Sequence, residues 1–431
     1  MTVVVHRAPV VLSAGSAPLS DGAVAVTGDR ILAVGPTDEV LASLAGTDAE
    51  VHEWDGALTP GLVNAHTHLQ YSDMAAVGQA EHGGFEAWMS AFMELYPLPR
   101  DWSASAAAGA ALCVRAGTTA VAEIVTDAEA GSAVHDAGLH GIAFWEVLGW
   151  TDRAWAEGGE SIVRAELAAL PPHPAVGLSP HAIYSLDTSV IRDLARLAGE
   201  LGVRQHIHAA ESAWEDAYVR TGTGDLAERW RQNGRGEFAL LRDGGVGTGV
   251  LRYLDGLGAL TPTTHLAHGI YVDTDDRALL RERGGSVALC PRSNAVIGLD
   301  PAPVAAYLRE GNAIAVGTDS LSSSPSLSLW HDVAALYGIA RSQGYDGDDL
   351  HARLFAAATA GGAHALGLAD TGVLRAGTRA DLAVFPVSAS APRDVLAELV
   401  EAGPAEASLT LIGGRVRWAN SSDHERTTAH V

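Results

Sequence analysis

Between residues 61 and 321 the chain repeats one unit eight times: a short apolar run, a polar turn, then an Ala/Leu/Arg/Glu-rich helical stretch. The runs are "GLVNAHTHL" (61–69), "TTAVAEIV" (118–125), "GIAFWEVLG" (141–149), "AVGLSPHAI" (175–183), "VRQHIHAAE" (203–211), "TTHLAHGIY" (263–271), "SVALCPRSN" (286–294) and "AIAVGTDSL" (313–321). Apolar runs of this length, bounded by turn residues, read as strands buried on both faces, and strands that alternate with helices build a parallel sheet. Eight units predict an α/β protein with a closed (β/α)8 barrel. Helix ends are legible too: in "DTSVIRDLARLAGELG" (187–202), Asp187 or Thr188 can cap the start and Gly202 can end the last turn.

The ends of the chain have a different texture. "GAVAVTGDRILAVGP" reads as a hairpin around Gly28-Asp29, and "TGVLRAGTRADLAVFPV" (371–387) and "SLTLIGGRVRWAN" (408–420) return to strand and turn. Residues 1–58 and 371–420 therefore predict a small β-domain built from both termini, beside a barrel over 59–370, with 421–431 as a frayed tail. Two connections, 70–105 and 212–262, are longer than a simple loop and are candidate lids over the substrate.

Composition removes several chemistries. A formal net charge of −24 repels nucleic acid and anionic membranes. All 28 basic residues are arginine, so a Schiff-base lysine, a phosphate-loop lysine and a lysine-bridged two-metal centre are impossible. With only Cys113 and Cys290, far apart, any metal must be held by nitrogen and oxygen. "MTVVVHRAPVVLS" alternates like a strand rather than a leader, and no apolar stretch approaches the roughly 20 residues of a membrane span, so the protein is expected to be cytoplasmic.

In a (β/α)8 barrel the reactive groups stand at the C-terminal ends of the strands. Those ends carry His66 and His68 on run one, His181 on run four, His208 and Glu211 on run five, and His268 on run six. Run seven adds Arg292 and Asn294, and run eight Asp319. Side chains at i and i+2 of a strand face the same way, so one ion can reach both His66 and His68. A single histidine at a strand end is more often a hydrogen-bonded structural residue than a ligand, and His206 and His265 are assigned that role. The combination of "HTH", "HxxE" and "GTD" at runs one, five and eight is not explained that way.

"TPGLVNAHTHL", "HIHAAES", "LAHG" and "VGTDS", in this order, with "GVLRAGTRADLAVFP" in the flanking domain, resemble the amidohydrolase superfamily over nearly the whole chain. The resemblance implies a deformed, TIM-like (β/α)8 barrel with a small β-sandwich domain. It also implies one divalent metal, Zn²⁺ or Fe²⁺, bound by His66, His68, His208 and Asp319, with His268 beside the attacking water and Glu211 as proton shuttle. The absent lysine fits the one-metal branch, which deaminates or dehalogenates heterocycles. Neutral imidazoles and one carboxylate leave a borderline ion a strong Lewis acid, able to bring a water's pKa to about 7. Glu211, three residues beyond a ligand, can stand next to the metal without binding it and pass a proton to a ring nitrogen.

Three functions compete: a deaminase of an aminated heterocycle, a hydrolase of a cyclic amide or halogenated triazine, and a non-catalytic relative, which would be expected to lose ligands that are all retained here. "SPHAIYS" and "CPRSN" are similar to deaminases of adenine nucleosides, including those acting on adenosine, S-adenosylhomocysteine, methylthioadenosine and aminofutalosine. "CPRSN" followed by "VGTDSLSS" is most similar to the aminofutalosine enzymes of menaquinone biosynthesis, although Gln70 stands where many have Glu. The expected substrate is thus a small nucleoside, with 6-amino-6-deoxyfutalosine first and guanine or cytosine as further alternatives, and the resemblance implies a homodimer. Gln70 can read a base edge, Phe85 and Trp88 can stack on it, and His181 and Asn294 are further substrate contacts. Arg292 either binds a substrate carboxylate or pairs with a neighbouring acid.

Overall fold

In the computed structural model, which describes residues 2–420 and 426–427, the eight apolar runs form eight parallel strands. They are β1 (Leu62–Thr67), β2 (Thr118–Val125), β3 (His140–Val147), β4 (Ala175–Pro180), β5 (Gln205–Ala209), β6 (Thr264–His268), β7 (Ser286–Leu289) and β8 (Ala313–Val316). The strands lie side by side in chain order and curl into a TIM-like barrel. The ladders are not uniform: the register between β1 and β2 shifts at Leu62/Val63 and again between Asn64 and Thr67. β4 meets β5 through the single ladder pair Leu178↔Gln205, and an isolated bridge from Ala182 to His208 extends the join.

The seam between β8 and β1 is closed by side chains and a turn instead of a ladder. Asn64 accepts the Thr318 N–H through Oδ1 at 3.1 Å and donates through Nδ2 to Thr318 Oγ1 at 2.7 Å, and the Asp319 N–H donates to the His66 carbonyl at 3.0 Å. Gly317 has no room for a side chain, since a Cβ there would lie 2.8 Å from the His66 Cβ.

The termini meet in a second, nine-stranded sheet centred on strand Val3–Val11. That strand pairs with Leu19–Thr27 on one side, and with Ala49–Glu53 and then Ala57–Pro60 on the other. Leu382–Phe385, Leu409–Ile412 and Arg415–Ala419 extend it from the C-terminal part. Alternation along Leu19–Thr27 sends Ala23 and Ala25 to one apolar cluster and Val24 and Val26 to another. The Gly28-Asp29 hairpin is present, with Gly28 at φ 57 between the paired Thr27 and Arg30. Of the expected tail, residues 426–427 pair with Ala49–Glu53, and the remainder lies outside the described residues.

Helix ends follow the local sequence. Helix Thr188–Leu201 begins at Asp187, whose side chain accepts from the Thr188 N–H, and stops at Gly202 in the left-handed conformation. Among the described residues no helix is long and apolar enough to cross a membrane.

One backbone contact in the barrel allows a direct test. Gly141, on β3, has φ 118, and a Cβ there would sit 1.9 Å from the Val121 carbonyl oxygen. Gly141→Ala should cost about 3 kcal/mol or more, read as a lower thermal midpoint or loss of soluble protein. Gly199→Ala, in helix Thr188–Leu201 where a new Cβ meets nothing within 4 Å, should be neutral or stabilising by up to about 1 kcal/mol in the same melt.

Candidate active site

The polar strand ends converge on one buried cluster at the C-terminal mouth of the barrel. His66 and His68 project from the end of β1, and His208 from β5. His68 Nε2 lies 3.3 Å from His208 Nε2 and 3.8 Å from Asp319 Oδ1, and His66 Nε2 lies 3.6 Å from the same oxygen. All four residues are buried, and His66 Nε2 has no hydrogen-bond partner. Nitrogens each about 2.1 Å from a tetrahedral ion sit about 3.4 Å apart, so these separations suit a divalent cation with nitrogen and oxygen ligands.

The surrounding hydrogen bonds set the imidazole tautomers that such a cation needs. His208 donates from Nδ1 to the His181 carbonyl at 2.9 Å, which leaves Nε2 as the lone-pair atom. His66 Nδ1 faces His206 Nε2 at 3.1 Å, and His206 Nδ1 in turn faces the His265 carbonyl at 3.1 Å. A proton on each Nδ1 satisfies both contacts and frees His66 Nε2. His265 bonds the Ala65 carbonyl and Ser286 Oγ. His206 and His265 thus lie behind the cluster and hold β1 in place. Burial holds the His66, His68 and His208 imidazoles below the ordinary histidine range, His68 at about 3, so they are neutral.

Asp319 is fixed by three donors: the hydroxyls of Ser293 and Ser323 to Oδ2, each at 2.7 Å, and the Ser320 N–H to Oδ1 at 2.8 Å. Burial alone would raise its carboxyl, yet it is held well below the usual carboxylate range. Three residues other than glycine at this mouth adopt left-handed backbone: Ala210 (φ 53), His268 (φ 71) and Asp319 (φ 58). Each follows or ends a barrel strand, where the turn must aim a side chain inward at the cost of local strain.

Glu211 and His268 form the next layer. Glu211 Oε1 is 3.5 Å from His268 Nε2, and the other imidazole nitrogen, Nδ1, meets Asn294 Oδ1 at 3.1 Å. Burial, and then the Asp319 charge, pushes the Glu211 carboxyl up to about 8. Glu215, one helical turn on and itself buried, accepts the Glu211 N–H at 2.9 Å and fixes this turn.

Three of the expected substrate contacts are otherwise engaged. Gln70 donates to Asp127 Oδ2 at 2.7 Å and accepts the N–H groups of Thr126 and Asp127, so its amide anchors the loop after β2. Asn294 meets His268 Nδ1 through Oδ1, while its Nδ2 is buried without a hydrogen-bond partner. Arg292 donates to Ser326 Oγ at 2.9 Å and lies 3.6 Å from the buried Asp332 carboxylate, whose pKa burial raises to about 7. The arginine therefore answers an internal charge. Phe85 and Trp88, by contrast, roof the mouth from helix Phe85–Leu95, their rings 5.6 Å apart, with Phe85 6.0 Å from Tyr184 and 6.4 Å from Trp214.

The structure adds residues that were not singled out from the sequence. Glu146, at the end of β3, points Oε1 at His181 Nε2 across 4.0 Å and bonds Thr126 through Oε2 at 2.7 Å. That Oε1 atom is buried without a partner. Glu123, on β2, accepts the Leu69 N–H with both oxygens and secures the turn after His68. Both interrupt the apolar runs two and three near their C-terminal ends, where a search for acids within the strands would have found them.

The Amidohydrolase family model matches residues 57–417, and an imidazolonepropionase-like composite domain model matches residues 22–43. A 5-methylthioadenosine/S-adenosylhomocysteine deaminase from Nitratidesulfovibrio vulgaris is 30% identical over 416 residues, 93% of this chain and 88% of the relative. Among solved structures, an adenosine deaminase from Xanthomonas campestris with bound zinc superposes with a TM-score of 0.77 at 25% identity, covering 96% of this chain and 93% of that one. Helicobacter pylori aminofutalosine deaminase, in complex with methylthio-coformycin, shares the fold with a TM-score of 0.82 at 21% identity, covering 96% and 99%. The family match runs through all eight barrel strands and every residue of the buried cluster, and by it the chain belongs to the amidohydrolase family.

Proposed function

We propose that the protein is a metal-dependent hydrolase that deaminates an adenine nucleoside, with 6-amino-6-deoxyfutalosine as the preferred substrate, giving futalosine and ammonia. The observation that carries this reading is the pairing of two unlike groups in one buried mouth. A neutral three-histidine and aspartate cradle stands beside Glu211, a carboxyl raised to about 8 that carries a proton at neutral pH. His66, His68, His208 and Asp319 would hold one divalent ion, Zn²⁺ or Fe²⁺, which supplies Lewis-acid activation of the attacking water.

The remaining chemistry belongs to the chain's own side chains. Glu211 gives its proton to the ring nitrogen beside the amino-bearing carbon, which makes that carbon electrophilic. Water adds there, and His268 Nε2 and Asp319 accept a proton from it. Of the two water protons, one goes to the departing amino group, which leaves as ammonia, and the other restores Glu211. A carbon–nitrogen bond is exchanged for a carbon–oxygen bond with no redox change. His181 Nε2 and the unpartnered Glu146 Oε1 face the same space and together offer a donor and an acceptor to the purine or ribose. Phe85 and Trp88 cover the site and exclude water.

A hydrolase of chlorinated triazines would use the same cradle and the same attack on an sp² carbon. Glu146 favours the nucleoside, because a buried carboxylate oxygen without a partner suits a ligand rich in hydroxyl or N–H donors. In an ammonia-release assay the expected order of kcat/KM is 6-amino-6-deoxyfutalosine first, S-adenosylhomocysteine and methylthioadenosine next, and adenosine after them. Guanine, cytosine and chlorotriazines should be turned over poorly, and preference for any of these would overturn the nucleoside reading. Glu211→Gln should keep its metal while kcat falls by about 100-fold or more, since the amide preserves shape but carries no transferable proton. Loss of metal in that variant, measured by elemental analysis, would make Glu211 a ligand.

A further inference from the structure

Arg235 is a half-buried guanidinium beside the mouth that has no ion pair and no hydrogen bond among the described residues. Its Cζ lies 4.9 Å above the Trp230 ring and 5.9 Å from Phe238, so aromatic faces are what hold it. Two other arginines near the mouth have acids at hand: Arg292 faces Asp332, and Arg229 faces Glu86. In a chain with 52 acidic residues, a desolvated arginine left without one needs an explanation.

Its position is fixed relative to the catalytic cluster by a series of contacts. The indole N–H of Trp230 donates to the Tyr184 carbonyl, which ties Arg235's support to the β4 loop that bears His181. The Tyr184 ring lies 5.7 Å from the His181 ring. On the other flank, a Cβ at Gly149 would fall 3.9 Å from an Arg235 terminal nitrogen, and the Gly149 N–H donates to the Ser185 carbonyl at 2.8 Å. Ser185 Oγ in turn meets His181 Nδ1 at 2.9 Å. Arg235 therefore sits over the gap between the β3 and β4 loops, one side-chain layer outside His181.

We infer that Arg235 is the anion anchor of the substrate site and binds a carboxylate at the far end of the nucleoside's 5′ arm. This inference rests on the nucleoside reading above, with the base against the cradle and the ribose at His181 and Glu146. The arm then leaves the mouth on the side where Arg235 is held. A planar guanidinium stacked on Trp230 keeps its in-plane N–H groups free, and those are the groups that take a carboxylate in a two-point bond. The segment that carries it, residues 225–242, lies within one of the two long connections, so the contact would also hold that connection against the bound substrate.

The test compares wild type, Arg235→Met and Arg235→Lys by ammonia release on four substrates: adenosine, methylthioadenosine, S-adenosylhomocysteine and 6-amino-6-deoxyfutalosine. AMP is added as a fifth, because a 5′-phosphate is another anion that an arginine could take. In Arg235→Met, the ratio of kcat/KM for the two carboxylate substrates to that for methylthioadenosine should fall by about 20-fold or more, chiefly through KM. Arg235→Lys should recover part of that ratio. An equal loss on neutral and carboxylate substrates, with a lowered thermal midpoint, would make Arg235 a packing residue and overturn the inference. AMP outranking the carboxylate substrates in wild type would overturn the carboxylate assignment. Wild type that releases ammonia from none of the five would overturn the nucleoside reading itself, a result distinct from a flat Arg235 ratio in an active enzyme.

Discussion

The seam between the last and the first barrel strand is the constraint on which the site depends. Strand ladders join every other neighbouring pair, but here Asn64 bonds Thr318 twice and the Asp319 N–H bonds the His66 carbonyl. These contacts bring the two ends of a chain segment some 250 residues long to within hydrogen-bond distance, and they place a carboxylate at 3.6 and 3.8 Å from two imidazoles. The close approach needs Gly317 on one side and the left-handed turn at Asp319 on the other. Barrel closure and construction of the cation cradle are thus one event.

Electrostatics then separate the roles of similar groups. Asp319 and Glu211 are both buried carboxyls in the same mouth, yet they are driven in opposite directions. Asp319 has two hydroxyl donors and a backbone donor on its oxygens, which favour the ionised form. Glu211 has the Asp319 charge nearby and no cation of its own, which keeps it protonated. A cation in the cradle would draw the Glu211 carboxyl down toward neutrality, where a group can both give and recover a proton.

Much of this was legible in the chain because barrel strands and their ends are local features. Each apolar run became a strand, and the histidines and acids at the ends of runs one, five, six and eight came together because parallel strands share one C-terminal face. The partners of Gln70, Asn294 and Arg292 were not legible. Asp127, His268 and Asp332 lie 57, 26 and 40 residues away from them, at separations that no periodicity relates. Glu146 and Glu123 were missed although they are the acids within runs two and three, because histidines drew the search. Arg235 could not be found without coordinates, since the aromatic faces that hold it and its place beside His181 are set by the fold.

The most direct test is anomalous diffraction at the metal absorption edge from crystals of the enzyme as purified. The account predicts one peak per chain, bonded to Nε2 of His66, His68 and His208 and to the Asp319 carboxylate, with Glu211 outside bonding distance. Glu146, His181 and His208 also lie close enough together to hold an ion. A peak on that trio, or two peaks per chain, would contradict the division of the mouth into a cation cradle and a substrate wall.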